Sequence, residues 1–434
     1  MIKIYNISEE LNPKKALIVG VELFKEKNNI SIDDSLNELK ELANAIGYEV
    51  VQIIKQSKSK IESATYLGTG KIQEINLLVD RYDIDIVIFD EELSGIQIRN
   101  LEKIVKTDIL DRTGLILNIF ADRAKSKEGK LQIELAKLKY QLPRLIGWGK
   151  MLSRTGAGIG TRGLGESKLE LDRRYISKKI SDLEKQLKEV KKHREIQRAK
   201  RKRNSIPTVA LVGYTNSGKS TLLNYFMKLD NNHIERTESF AKDMLFATLD
   251  PFHKLIKLEG NLEFLLIDTV GFVSKLPHFL VEAFKSTLEE ITEADLLIYV
   301  LDISRKDYKH QLKVTKDVIK ELNAEDKTYI TVYNKIDKLS QDELKKIVIP
   351  MENSIEISAL RGDGLEELIK KIEINLFEDE KKVDMQIPFI KGSIISYILE
   401  NSRVISKEYN ENGILITTFL NKKDYNKYKK FIIK

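Results

Sequence analysis

The sequence predicts a multidomain α/β protein, and three observations carry that prediction. Its 434 residues exceed what one hydrophobic core can organise, so about two to four domains are expected. Short runs rich in β-branched residues alternate with segments of helical periodicity, first near the N-terminus and again past residue 207. Between those regions lie heptad-spaced apolar residues interrupted by glycine. The expected order is a small parallel α/β subdomain over 1–120, an antiparallel helical hairpin over 121–203, a phosphate-loop domain over 204–381 and a small α+β domain over 382–434.

The N-terminal strands are "KALIVGVEL" (Lys15–Leu23), "YEVVQII" (Tyr48–Ile54) and "IDIVIFD" (Ile84–Asp90). Near-continuous apolar runs of this kind suit parallel strands buried on both faces. "DDSLNELKELANAIG" (Asp33–Gly47) and "GKIQEINLLVDRY" (Gly70–Tyr82) between them carry apolar residues at helical intervals. The second follows "YLGTG", a glycine turn; "LGTGK" is too short and wrongly spaced for a Walker loop.

From about 121 the period changes. Leu131, Leu135, Leu138, Leu142 and Leu145 step by 4, 3, 4, 3, and Ile176, Ile180, Leu183, Leu187 and Val190 do the same. Two such stripes flanking a glycine loop describe a hairpin closed along an apolar seam. Pro143 is expected to kink or shorten the first helix near its end. The loop reads "GAGIGTRGLG", and Gly158, Gly160 and Gly163 spell G-x-G-x-x-G. A dinucleotide fingerprint needs a buried strand before it and here has a helix, so that reading fails. Seven of the chain's 22 glycines fall between Gly147 and Gly165, with its only tryptophan, Trp148, and with Arg144, Lys150, Arg154 and Arg162. Glycine loses the most backbone freedom on ordering, so a plain connector would be shorter. Close approach of backbone and arginine to phosphates and splayed bases is the better use, which makes Arg154, Gly156, Gly158, Gly160, Arg162 and Gly163 a candidate RNA-binding tip.

Composition narrows the class further. Hydrophobic residues make up 42% and charged residues 32%, as a folded protein with charged surfaces requires. No run approaches the roughly 18–20 apolar residues of a membrane span, and "MIKIYNISEE" lacks a signal peptide's apolar core. There is no cysteine, which excludes disulfide and thiolate chemistry and makes a cytoplasmic address the simplest expectation. The histidines at 193, 233, 253, 278 and 310 have no metal-ligand spacing. The net charge of +7 is uneven: "KKHREIQRAKRKR" (Lys191–Arg203) suits either a solvated helix end or a nucleic-acid contact. In the last segment "MQIPF" is a strand, "GSIISYILENS" a helix, and "RVISKEYNENGILITTFL" a hairpin turning near Asn412-Gly413. The closing "KKDYNKYKK" is basic with interleaved tyrosine, a weak nucleic-acid hint.

The chemistry begins after "RNSIP". "TVALVGYTNSGKST" places Gly213, Tyr214, Thr215, Asn216, Ser217, Gly218, Lys219, Ser220 and Thr221 as G-x-x-x-x-G-K-S-T between an apolar strand and a helix. Backbone N–H groups there curl around a β-phosphate, Lys219 neutralises β/γ charge, and Ser220 offers a Mg²⁺ ligand. "LEFLLIDTVGF" sets Asp268 at a strand end as a Mg²⁺ partner, followed by Thr269, Val270 and Gly271, whose amide can approach a γ-phosphate. "YITVYNKID" gives Asn334, Lys335, Ile336 and Asp337; the Asp337 carboxylate matches the N1–H and exocyclic amine of guanine, a donor pair adenine lacks. "IEISAL" gives Ser358, Ala359 and Leu360 to support the base. "FATLDP" supplies Phe246, Ala247 and Thr248, with Thr248 the candidate switch threonine on Mg²⁺ and γ-phosphate. The first four of these motifs, in chain order and strand context, read as a GTP-binding P-loop GTPase domain, with Lys219, Thr248 and Gly271 nearest the chemistry and Ser220, Thr248 and Asp268 around the metal.

Two details bear on rate. Phe272 follows Gly271 where Ras-like proteins carry a water-orienting glutamine, so hydrolysis should be slow until a partner accelerates it. Asn216 either helps place a K⁺ ion between phosphates or simply shapes the loop.

These segments together resemble the HflX family of the Obg–HflX group of P-loop GTPases over nearly the whole chain. The resemblance is carried by "FDEELSGIQIRNLEK", "DRTGLILNIFADRA", "LQIELAKLKYQLPRL", "GAGIGTRGLGESKLELDRR", "VGYTNSGKSTLLN", "FATLD", "DTVGFV" and "NKID". It implies a factor that binds the large ribosomal subunit and its rRNA through the hairpin tip, is stimulated by the ribosome, and splits stalled or idle ribosomes under stress; a monomer is the separate expectation. A GTP-gated assembly or silencing module that binds without splitting is the alternative. An RNA-remodelling ATPase working through the N-terminal domain is another, although residues 1–120 display no ATP site.

Overall fold

The structure, a computed structural model, describes residues 13–24, 31–155, 164–203, 206–229, 246, 251–258, 262–347, 349–350, 352–377 and 380–433. The chain forms two compact units. One comprises Met1–Gln197 with Asp243–Asp250 and Phe272–Ser286; the other comprises Arg198–Lys242, Pro251–Gly271 and Thr287–Lys434.

In the first unit, β1 (Lys15–Leu23), β2 (Glu49–Lys58), β3 (Ile86–Phe89) and β4 (Asp108–Asp111) form a sheet of order β2-β1-β3-β4. Every pairing is parallel, as the apolar runs require. β1 is buried from Ala16 through Val21, so it lies central with no polar face to spare. Helices Ile32–Ala45, Thr69–Tyr82 and Gly95–Val105 make the crossovers. Ser31 caps the first by accepting from the Asp34 amide at 3.1 Å, and Ser94 and Gln97 form a capping box on the third. "LGTGK" runs straight into a helix from Thr69, which agrees with a turn. β4 and helix Arg112–Arg123 were not foreseen: "DILD" is too short and too polar at its ends to announce a strand.

Helices Lys127–Thr155 and Leu164–Arg203 follow. Leu135, Leu138 and Leu183 are buried against Leu131, Ile176, Ile180 and Leu187, residues of both expected stripes. Lys139–Glu184 at 2.9 Å and Lys179–Glu134 at 2.5 Å tie the same two helices. Two expectations need correction. The first helix runs on through Pro143 to Thr155, so the proline does not shorten it. Its ring faces outward, and the next residue anchors that turn. That residue is Arg144, which is buried and is no tip cation. Its guanidinium stacks on Tyr140 at 3.4 Å, donates to the Tyr140 carbonyl at 2.7 Å and pairs with Asp111 at 2.9 Å. The tip stretch 156–163 and the side chain of Arg154 lie outside the described residues.

The second unit holds a six-stranded sheet of order β10-β9-β8-β5-β7-β6. Its strands are β5 (Thr208–Gly213), β6 (Phe252–Leu258), β7 (Leu262–Asp268), β8 (Leu296–Asp302), β9 (Tyr329–Asn334) and β10 (Ser354–Glu356). All neighbours are parallel except β6 and β7. Val209, Leu211, Leu266, Ile298 and Val332 from the strands bury against Leu222, Phe226, Leu368 and Ile372 from the helices. A separate antiparallel sheet, order β11-β13-β12, uses β11 (Lys381–Ile387), β12 (Arg403–Asn410) and β13 (Gly413–Leu420), and helix Gly392–Asn401 covers it. That matches the expected α+β segment. In "KKDYNKYKK", helix Lys422–Tyr428 puts Tyr428 in the core, which removes one of its interleaved tyrosines from any surface role.

Candidate nucleotide site

In the second unit, parallel strands β5, β7, β8 and β9 end on one edge of the sheet, where α/β folds bind ligands. β5 ends at Gly213 and helix Lys219–Leu229 begins six residues later, so 214–218 form the phosphate loop. Gly218 has φ +99°, and a Cβ there would sit 2.1 Å from the Asn334 amide nitrogen. Only glycine leaves room for that amide, which donates to the Ser217 carbonyl at 2.9 Å. A Cβ on Gly271 would meet the Thr215 Cα at 2.8 Å, so the two loops touch backbone to backbone.

Lys219 is buried, and its ammonium donates to the Gly213 and Tyr214 carbonyls at 3.1 and 2.7 Å. Burial pulls its pKa down to about 8 against the opposing charge of Asp268. A polyphosphate entering the loop would restore the charged form. The Ser220 hydroxyl donates to Asp268 Oδ2 at 2.8 Å, which sets two hard oxygen donors side by side at the helix start. That donor set fits Mg²⁺, which takes few protein ligands and keeps waters and phosphate oxygens for the rest. Thr269 fixes the turn by donating to the Leu211 carbonyl at 2.6 Å.

The base-recognition residues meet in the same place. Asn334 Oδ1 accepts from the Ala359 amide at 3.0 Å, and the Ser358 hydroxyl donates to Asp337 Oδ1 at 2.6 Å. Arg361 closes the loop by donating to the Asp337 carbonyl at 3.4 Å. Lys335, at φ +67°, reaches back to the phosphate loop and donates to the Asn216 carbonyl at 2.6 Å and its side-chain oxygen at 3.3 Å. Leu360 is exposed. Phe246 is the one described residue of the switch stretch; its ring packs edge-on against Phe120 at 4.6 Å in the first unit, so its side chain serves packing. Ala247 and Thr248 lie outside the described residues. Phe272 is buried. Sequence reasoning missed Asp302 at the end of β8, which ion-pairs with Lys335 at 2.8 Å; a carboxylate closing an otherwise apolar strand was the available signal. Among the described residues no cluster of three or more His, Cys, Asp or Glu could hold a metal, and no helix is long and apolar enough to cross a membrane.

Comparisons with known proteins show the family. Residues 33–121 match the family described as GTP-binding GTPase N-terminal, 123–201 the GTP-binding GTPase middle region, 208–335 the 50S ribosome-binding GTPase, and 343–428 the HflX C-terminal domain. GTPase HflX of Caldanaerobacter subterraneus is 48% identical over 386 residues, 88% of this chain and 87% of its own. The chain belongs to the HflX GTPase family. GTPase HflX of Lacrimispora saccharolytica is 43% identical, with 89% of each chain covered. Among solved structures, the complex of SsGBP with GDP is 28% identical at a TM-score of 0.48, covering 82% of this chain and 97% of that one. Family membership makes this chain a GTP-hydrolysing enzyme; the phosphate loop, Asp268–Gly271, Asn334–Asp337 and Ser358–Leu360 meet at one sheet edge of the second unit, whereas Phe246 packs within the first unit. HflX identity also agrees with the resemblance drawn from the sequence.

Proposed function

We propose that this HflX-family GTPase binds the large ribosomal subunit through the tip between its two long helices and uses GTP to time splitting of stalled or idle ribosomes under stress. The supporting observation is the pairing of a domain matched to 50S ribosome-binding GTPases with a helical hairpin whose connecting stretch is rich in arginine and glycine. Arginine and bare backbone suit phosphate and unstacked bases. GTP must favour the ribosome-bound arrangement over GDP, because a ligand shifts an equilibrium only by its differential affinity.

In the nucleotide loop, Lys219 neutralises phosphate charge while the amides of 214–218 donate to the β-phosphate oxygens. Ser220 and Asp268 would hold Mg²⁺, with Thr248 joining in the GTP state; when bound, the ion would supply Lewis-acid neutralisation of phosphate charge. Gly271 lets its amide approach the γ-phosphate. Phe272 can neither donate nor accept a proton, so rapid turnover requires a group from the ribosome.

Light scattering of intact ribosomes tests the reading. With a non-hydrolysable GTP analogue the signal should fall, and a chain lacking Met151–Lys168 should leave it unchanged. If the intact chain binds large subunits without lowering the signal, the silencing-module reading wins; if the shortened chain splits as well as the intact one, the tip is only a connector. ATP-driven RNA unwinding that survives Lys219→Ala would instead favour remodelling through the N-terminal domain.

Asn216 also bears on the ions. Its φ of +57° and its position under the Lys335 ammonium hold the side chain at the mouth of the loop. We expect hydrolysis to be faster in potassium than in sodium buffer, through a K⁺ ion shared between the Asn216 amide oxygen and the phosphates. Equal rates would leave Asn216 a loop-shaping residue.

A further inference from the structure

We infer that Asp302 is a positioning residue of the guanine-nucleotide site, acting through Lys335 to couple the base motif to the phosphate loop; the inference rests on the GTP reading of that site. Asp302 closes β8, which is buried along its whole length, and its own side chain is only 7% exposed. One carboxylate oxygen is fixed by Ser304, whose amide and hydroxyl donate to Oδ1 at 3.1 and 2.5 Å. The other, Oδ2, lies 2.8 Å from the Lys335 ammonium. That ammonium in turn donates to both oxygens of Asn216. A continuous run of contacts therefore joins Ser304, Asp302, Lys335 and Asn216 across the ends of two strands and the phosphate loop.

A buried ion pair is a poor stabiliser, because desolvation of both charges offsets most of their attraction, and apolar residues of similar size often serve a fold as well. The location accounts better for this one. Lysine has a long stem with many rotamers, and an unanchored Lys335 ammonium would have the Asp337 carboxylate within two residues of chain as a competing partner. Asp337 needs its charge for the two guanine donors. Asp302 gives the ammonium a fixed partner on the opposite strand, where Asp302 pairs with Asn334 in register. The Lys335 ammonium is thereby held between Asp302 and the loop that wraps the phosphates. Nucleotide binding then begins from an ordered site and loses less entropy on association.

The test is release of a fluorescent GDP analogue from the full chain, measured by stopped flow in wild type, Asp302→Asn, Ser304→Ala, Lys335→Met and the Asp302→Asn/Lys335→Met double variant. Losing a charge-assisted hydrogen bond corresponds to about tenfold, so Asp302→Asn should release GDP about ten times faster. Ser304→Ala, which loosens the same carboxylate without neutralising it, should release it about two- to threefold faster. In steady state the KM for GTP should rise while kcat stays within about threefold, because the groups around the γ-phosphate are untouched. The double variant should be no worse than Lys335→Met alone, since Asp302 acts through that lysine. Release within twofold of wild type in both Asp302→Asn and Ser304→Ala overturns the inference, and so do additive losses in the double variant. A lowered melting temperature without nucleotide, paired with an unchanged rise on adding GDP, would likewise mark Asp302 as merely structural. Failure of the wild-type chain to bind the analogue would count against the nucleotide site itself and is read separately.

Discussion

Asp337→Asn should lower GTP affinity by about a thousandfold and raise affinity for xanthosine triphosphate in return. Guanine presents two donors, N1–H and the exocyclic amine, and a carboxylate accepts both. An asparagine offers one acceptor and one amide donor, so the guanine amine meets a donor in place of an acceptor. Sites built around such pairs reject a mismatched partner by about 10³-fold or more, because buried polar groups are left unpaired. At about 1.4 kcal/mol per factor of ten, a thousandfold is roughly 4 kcal/mol. Xanthine carries a carbonyl where guanine carries the amine, which the new amide nitrogen can address. The structure adds a reason for the effect to be large. Asp337 Oδ1 already accepts from the Ser358 hydroxyl at 2.6 Å, so the carboxylate is held in one orientation and cannot swing to recover a lost bond. Equilibrium titration of both nucleotides against the variant decides the matter. Unchanged GTP affinity would remove Asp337 from base recognition, and the choice of guanine over adenine would need another source.

The nucleotide site was legible because each part is local. A phosphate loop, a strand-ending carboxylate and an Asn-Lys-x-Asp turn are each set by a few consecutive residues, and strand order brings them together without further specification. The parallel N-terminal sheet was legible for the same reason: β1 is one unbroken apolar run. What escaped were contacts between distant residues. Arg112 meets Glu38 across 74 positions and the Ser274 carbonyl across 162, and no window of sequence displays that. Arg144 misled because it opens a stretch that soon brings Gly147, Gly149 and Lys150, whereas its neighbours in space are Tyr140 and Asp111. Asp302 escaped because the run before it reads as a buried strand whatever its last residue does. Helical hairpins lie between these cases: the leucine stripes fix the pairing of the helices, while the effect of Pro143 depends on which way its ring faces and on what anchors the next turn.

Arg112→Ala should cost the first unit about 3–5 kcal/mol, the usual penalty for removing one partner of a buried ion pair. Arg112 is among the largest fully buried side chains of the described residues. Its guanidinium donates to Asp90 Oδ1 at 2.7 Å, to Glu38 Oε2 at 3.0 Å and to the Ser35 carbonyl at 2.8 Å. The chain just past Gly271 joins the same cluster. Ser274 accepts from Arg112 at 3.3 Å and donates its amide to Glu38 at 3.2 Å, and Lys275 pairs with Asp90 and Glu91 at 2.5 Å each. Without the guanidinium, Glu38 and Asp90 are left as two buried carboxylates with Lys275 reaching only one of them. Lysine at 112 should rescue little, because a single ammonium cannot reproduce the fork that spans Asp90, Glu38 and the carbonyls of Ser35 and Ser274. The acid limb gives an independent check. Burial works against ionisation of Asp90, but the charges of Arg112 and Lys275 outweigh it and hold the carboxyl down at about 2. A carboxyl depressed in the folded state contributes stability above its unfolded pKa of about 4, and that contribution is lost as pH falls from there towards 2. Urea unfolding of wild type and Arg112→Ala should therefore differ most near neutrality and converge below about pH 4. A gap that stays constant from pH 7 to pH 2 would mean that Arg112 stabilises the unit by packing alone, and the segment beyond Gly271 would then be held to helix Arg112–Arg123 by apolar contacts such as Phe284 on Phe120.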